Sequence, residues 1–252
     1  MSQLKKALQT NAVGRAIAER YDLVKGAYTY HAKPNRRGSP DIAFNDQHGR
    51  QAIFNALTSA IDFAAILETG TYLGRTTEYM HTRTNLDVHT TEANPKFYAF
   101  SKQRFKRFPG KIHLNYSDSR PFLKNTIKAL NAGDKPLFFY LDAHWEEDLP
   151  LREEVDIIFE LHPKSVILID DFKVDDDPVY GYDDYGNGKT LHLPYFDPIN
   201  HHPFRAFFPA LPGEEESGAK RGSVTLAMDP ELCNTINSLA ELREYSREPV
   251  SV

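Results

Sequence analysis

Cysteine is almost missing from this chain: Cys233 is the only one in 252 residues. That excludes an internal disulfide framework and a cysteine-rich zinc site, and it makes a reducing compartment, by default the cytoplasm, the expected location. Positive charge is not in excess either. The 30 basic and 35 acidic side chains leave a formal net charge of -5, so the strong field of a nucleic-acid binder is lacking and a small-molecule partner is expected instead. Long apolar runs are absent too. The first residues, Met-Ser-Gln-Leu-Lys-Lys, lead into mixed polar sequence without an apolar stretch of signal-peptide type, and nothing approaches the roughly 20 apolar residues of a membrane span. Neither secretion by that route nor a membrane anchor is expected. No internal repeat is visible, and the length suits one large domain with additions.

What is present is periodic. Apolar residues recur at three- and four-residue intervals from Ser2 to about Val24 and from His48 to Ile61, the latter through Ile53, Leu57 and Ile61, which predicts two amphipathic helices. Residues 1–60 therefore read as a helical extension packed on the core. Its connecting loop, Tyr30 to Asp46, is broken by Pro34, Gly38 and Pro40 and is expected to wrap the domain or cover its site. Residues 61–252 read as the main domain. Short apolar runs at Ala64–Leu67, Val88–Thr91, Ile112–Leu114, Leu137–Leu141 and Val166–Ile169 alternate there with helical stretches near Arg75–Arg83, Pro95–Arg107, Pro121–Asn131 and Pro150–Leu161. Such alternation predicts an α/β fold with a mostly parallel, doubly wound sheet. The rhythm stops at residues 172–222, a long insertion after the fifth strand that reads as a substrate lid, and it resumes with a strand at Ser223–Met228 and a helix at Pro230–Tyr245.

The chemistry-bearing residues lie at the ends of these strands. Glu68-Thr69-Gly70-Thr71-Tyr72-Leu73-Gly74-Arg75-Thr76 places an acid and two glycines between an apolar strand and a helix, where backbone without Cβ atoms can approach a ligand and free helix N–H groups can meet its polar atoms. The third glycine of the dinucleotide fingerprint is lacking. About twenty residues on, Glu92 ends the second strand, where a carboxylate can accept hydrogen bonds from ribose hydroxyls. Ser117 and Asp118 end the third and offer polar atoms to an adenine amino group, although Asp118 serves equally well as a helix N-cap.

Together these segments resemble the S-adenosylmethionine (SAM) dependent O-methyltransferases of the catechol O-methyltransferase type and their sugar and macrolide relatives. Glu68 to Gly74 looks like that family's SAM loop, Glu92-Ala93-Asn94-Pro95 like its ribose-binding segment, Leu141-Asp142-Ala143-His144-Trp145 like its fourth-strand end, and Ile169-Asp170-Asp171 like its metal-binding pair. The likeness covers about Ile61 to Phe172. It implies a seven-stranded Rossmann-like sheet with a reversed final hairpin, and SAM held by Glu68, Gly70, Thr71, Tyr72, Gly74, Thr76, Glu92, Ser117, Asp118, Asp142 and Trp145. It further implies that Asp142, Asp170 and Asp171 converge, where Mg²⁺ or another divalent cation would relieve their repulsion and help ionise an acceptor hydroxyl. The family's lysine base has no counterpart here. His144 is the substitute, with adenine contact or a structural hydrogen bond as its alternative, while Trp145 suits packing on adenine.

The expected function is methyl transfer from SAM to oxygen of a small hydroxylated molecule such as a sugar or secondary metabolite, with homo-oligomer formation left open. Transfer to nitrogen, or a SAM-binding module without catalysis, are the alternatives; a metal-dependent hydrolase is disfavoured by the preceding loop. Tyrosines and acids in the insertion, among them Tyr180, Tyr182, Asp183 and Tyr185, suit polyhydroxylated or cationic acceptors. His201-His202 alone, without further spaced ligands, is a weak zinc signal.

Overall fold

A computed structural model describes residues 12–143, 148–199 and 201–245. Among the described residues the first helix, α1 (Ala12–Ala32), runs further than the sequence pattern predicts, and the predicted start at Ser2 lies outside the described residues. It turns its small residues Gly14, Ala18 and Gly26 inward, and at Gly26 a Cβ would lie 2.0 Å from the Lys96 carbonyl oxygen of α4, so the two helices meet at backbone distance. Two short 3₁₀ turns and the segment Ala43–Asp46 then lead into α2 (His48–Ala60). Phe44, Asn45 and Asp46 are all left-handed, with φ of 54, 59 and 62°. Residues without glycine's freedom pay roughly 1–3 kcal/mol each for such backbone, which persists where surrounding contacts over-determine it.

The alternation of strands and helices is as the sequence predicts. β1 (Ile66–Thr69), α3 (Arg75–Thr84), β2 (Val88–Thr91), α4 (Pro95–Arg104), β3 (Ile112–Asn115), α5 (Ser119–Leu130), β4 (Leu137–Leu141), α6 (Leu151–Leu161) and β5 (Ser165–Ile169) follow in order. β6 (Arg205–Pro209), β7 (Val224–Ala227), α7 (Pro230–Asn237) and β8 (Leu242–Glu244) follow among the described residues. The sheet order is β3-β2-β1-β4-β5-β7-β6-β8, parallel through β5 and antiparallel beyond it. The fold is thus the expected Rossmann-like one with a reversed final hairpin, but with eight strands among the described residues instead of seven. The added edge strand β8 takes the end of the helix predicted to reach Tyr245.

Period-two alternation divides the core between the two faces of the sheet. Leu137, Phe139 and Leu141 of β4 pack with Phe122 and Leu123 of α5 and Val155, Ile158 and Phe159 of α6. Phe138 and Tyr140 face the other way, toward Ile53, Phe54 and Leu57 of α2 and Tyr79 and Met80 of α3. The 172–222 insertion also belongs to this core. Phe172, Val174, Tyr180, Leu191, Leu193 and Phe196 are buried, and β6 lies within it, so much of the segment is fixed structure. Among the described residues no helix is long and apolar enough to cross a membrane.

Candidate cofactor-binding site

In an open parallel sheet the crevice lies beyond the strands' carboxyl ends, where connections from neighbouring strands leave in opposite directions. Here that point is between β1 and β4. A cleft of about 430 Å³ occupies it, lined by Gly70 and Tyr72 after β1, Glu92 and Ala93 after β2, Ser117 to Ser119 after β3, and Asp142 and Ala143 after β4. A second cleft of about 240 Å³, lined by Asn45, Asp46, Glu68, Gly74, Arg75 and Thr76, shares Gly70, Tyr72 and Asp142 with the first.

The Gly70–Gly74 turn has a different physical origin from the one the sequence proposes. Gly70, at φ 88°, has its Cβ position 2.4 Å from the Asp142 carbonyl oxygen, and Gly74, at φ 71°, has its own 2.5 Å from the Phe105 ring. The glycines permit close approach of protein to protein. Most of the turn's N–H groups are also spent internally: Gly70 and Thr71 donate to the Thr91 carbonyl, Tyr72 to Glu92 and Gly74 to Thr71. What remains for a ligand is the amino end of α3, because its N-cap is Gly74 and supplies no side-chain acceptor.

Glu92 is buried and accepts N–H groups from Tyr72 at 2.8 Å and Asn94 at 2.7 Å, one on each oxygen, leaving acceptor capacity on both. Burial pushes its pKa up, and those backbone N–H groups pull it back. Asp118 caps α5 by accepting from Arg120 N at 3.0 Å, and the Arg120 guanidinium at 2.8 Å holds its carboxyl below the usual range. Its capping role is realised while it also lines the cleft. Ser117 gives its carbonyl to the Thr91 hydroxyl at 2.8 Å. Glu68 is buried beneath the turn, accepting from the Thr77 and Thr90 hydroxyls; burial drives its pKa to about 8 against the pull of those two bonds. The Thr71 hydroxyl is 2.5 Å from that of Thr90, and the Thr76 hydroxyl accepts the Phe44 N–H at 3.3 Å, so both threonines hold protein segments. His144 and Trp145 lie outside the described residues.

The three aspartates expected to bind a metal do gather at the ends of β4 and β5, but arginines answer their charge. Asp170 is fully buried and ion-paired with Arg50; it also accepts from Tyr140 Oη at 2.5 Å, Asn45 Nδ2 at 3.3 Å and the Asp171 N–H at 2.7 Å. Asp171 accepts from Arg221 Nε at 2.7 Å, and Arg221 also pairs with Asp183. Among the described residues no arginine ion-pairs with Asp142: burial, then Asp171 and Glu68, raise its pKa well above the ordinary value against the pull of Arg50. Among the described residues these acids do not form a set of closely spaced ligand atoms. The donor set does not fit a hard divalent cation in this arrangement. Sequence reasoning missed Asn45, Arg50 and Arg221; Arg50 had a signal, since it sits three, four and seven residues before Ile53, Phe54 and Leu57 on the buried face of α2.

No protein-family model matches the sequence, and no curated protein matches it. Solved structures do. The O-methyltransferase TomG from Streptomyces achromogenes, in complex with SAM, superposes with a TM-score of 0.52 at 16% identity over 82% of this chain and 89% of that one. The fold is that of the class I methyltransferases. The O-methyltransferase from Bacillus cereus in complex with S-adenosylhomocysteine (SAH) gives a TM-score of 0.50 at 17% identity over 83% and 91%.

Proposed function

We propose that this chain is a SAM-dependent methyltransferase acting on oxygen of a small hydroxylated acceptor. That Gly70, Tyr72 and Asp142 line both clefts carries this reading. The larger cleft has the size of a small-molecule site and places a buried carboxylate, Glu92, at the end of β2, where ribose hydroxyls would be held. The smaller one takes in the uncapped amino end of α3, which suits the carboxylate of a methionine moiety. SAM and SAH bound to TomG and to the Bacillus cereus enzyme support the assignment of ligand.

Bound SAM supplies a methyl group made electrophilic by its sulfonium. The chain then has to orient the acceptor, exclude water and take up a proton. Asp142, shared by both clefts and with its basicity raised by burial, is the described group best placed to receive the acceptor proton. Asp46 beside it offers acceptor oxygens for further hydroxyls. Because Arg50 and Arg221 already neutralise Asp170 and Asp171, this reading needs no cation there, contrary to the expectation from sequence.

Calorimetric titration with SAH tests the assignment. Binding by wild type, and its weakening in Glu92→Ala with the circular-dichroism spectrum unchanged, supports it; folded wild-type protein that ignores both SAM and SAH overturns it. SAH release against a panel of polyols, phenols and amines then separates oxygen from nitrogen acceptors.

A further inference from the structure

Away from the clefts, the fold completes a ligand set that the sequence left incomplete. His201 and His202 follow the 3₁₀ segment Leu193–Ile199, which is anchored by its buried Leu193, Phe196 and Ile199. Two hydrogen bonds tie that segment to the start of α6: Arg152 Nε donates to the Tyr195 carbonyl at 2.7 Å, and Tyr195 Oη donates to the Leu149 carbonyl at 3.1 Å. The anchoring sets both imidazoles over the middle of α6, where Asp156 projects. His201 Nε2 is 3.1 Å and His202 Nε2 3.0 Å from the same oxygen, Asp156 Oδ1, with the rings 4.2 Å apart. One ligand atom from each residue lies within 4.8 Å of the other two, and this is the set of that kind among the described residues.

Each side chain is held differently. His202 is buried and rests near the Phe159 ring, centroids 5.9 Å apart, while His201 is open to solvent and Asp156 half-exposed, so an ion can enter. Ligands about 2.0–2.1 Å from a tetrahedral zinc ion stand about 3.3 Å apart, close to the nitrogen-to-oxygen separations here. Two imidazoles and one carboxylate match the borderline character of Zn²⁺ better than that of Mg²⁺, which prefers oxygen. The pair of histidines supplies no third ligand by sequence spacing; Asp156 comes from 45 residues earlier through the packing of α6.

We propose that Asp156, His201 and His202 bind a zinc ion through three protein ligands and a water, clamping the 193–202 segment to α6. The site is separate from the methyl-transfer cleft: Asp156 lies six residues beyond Pro150, the cleft-lining residue at the head of α6, or about 9 Å along the helix. The ion fastens structure that carries part of the core, and the proposal holds whatever the clefts bind.

The test uses the full chain without a histidine tag, stripped with EDTA and desalted. Calorimetry with zinc chloride at neutral pH is expected to show one ion per chain at micromolar affinity or tighter, with a rise in melting temperature. Cobalt(II) in its place is expected to give the visible absorption of a four- or five-coordinate ion. His201→Ala and Asp156→Asn, both at partly exposed positions that spare the fold, are expected to weaken zinc binding at least about tenfold and to remove the cobalt bands. Absence of stoichiometric zinc binding by wild type, or unchanged affinity and spectra in both variants, overturns the proposal.

Discussion

Replacing Glu68 by glutamine tests the electrostatics of the site without altering its shape. In the folded chain Glu68 is buried under the Gly70 turn and its pKa is displaced from 4.5 to about 8. The unfolded chain therefore gives up this proton first. The stabilising contribution of the protonated group is complete below pH 4.5, declines by about 1.4 kcal/mol per pH unit as pH rises, and is lost once pH passes about 8. Over that window the displacement is worth roughly 5 kcal/mol, a large share of the stability of an ordinary domain. Glutamine keeps an oxygen to accept from Thr77 and Thr90 and cannot ionise. Urea unfolding of ligand-free protein between pH 5 and 9 should show the variant's advantage growing steadily toward pH 8. Glu154, fully buried on α6 with its pKa raised to about 7 mainly by burial, adds a decline of its own, but it is common to both proteins and cancels in the difference. Parallel stability profiles for the two proteins would refute the reasoning, because Glu68 would then titrate alike in both states.

Other perturbations read different parts of the site. Arg50→Met leaves Asp170 buried without its ion pair and should cost about 3–5 kcal/mol by urea unfolding. Glu92→Ala should weaken SAH binding about 10²-fold, from the loss of hydrogen bonds to a charged acceptor, with Glu92→Gln in between by calorimetry. Asp142→Asn should lower kcat about 10²- to 10⁴-fold in a SAH-release assay while SAH affinity stays near wild type. Methyl transfer should survive EDTA; loss of activity restored by Mg²⁺ would mean that a cation displaces the arginines at Asp170 and Asp171.

The parallel half of the fold was legible because its signals are local and repeated. Runs such as Leu137–Leu141 and Val88–Thr91 coincide with β4 and β2, and Pro95 after the capping Asn94 marks the start of α4. Beyond β5 the strands pair antiparallel; the predicted run Ser223–Met228 coincides with β7, whereas β6 and β8 were not predicted. Arg205–Pro209 ends in a proline inside a stretch rich in turn residues, and Leu242–Glu244 has three residues, too few for a period to declare itself. The lining of the candidate cleft was legible where one strand end supplies one side chain, as at Glu92. It was illegible where charge is settled between distant segments: neither Arg221 nor Asn45 carries a local sign that it meets Asp171 or Asp170, and Asp156 gives no hint of two histidines across the fold. Gly70 was singled out as a place where backbone approaches a ligand, yet what approaches it is the backbone of Asp142, which no spacing rule reveals.

The buried pair of Arg50 and Asp170 also restricts how this chain can drift under mutation. Loss of either partner alone strands the other's charge inside the protein, so single steps at both positions are closed by instability. One route avoids that barrier: a neutral residue at 50 combined with a divalent cation that takes the arginine's place beside Asp170, Asp142 and Asp171. Under the proposed function, a cation at these acids would need Arg50 replaced and Arg221 released from Asp171, and position 50 lies on a helix that precedes every strand of the sheet.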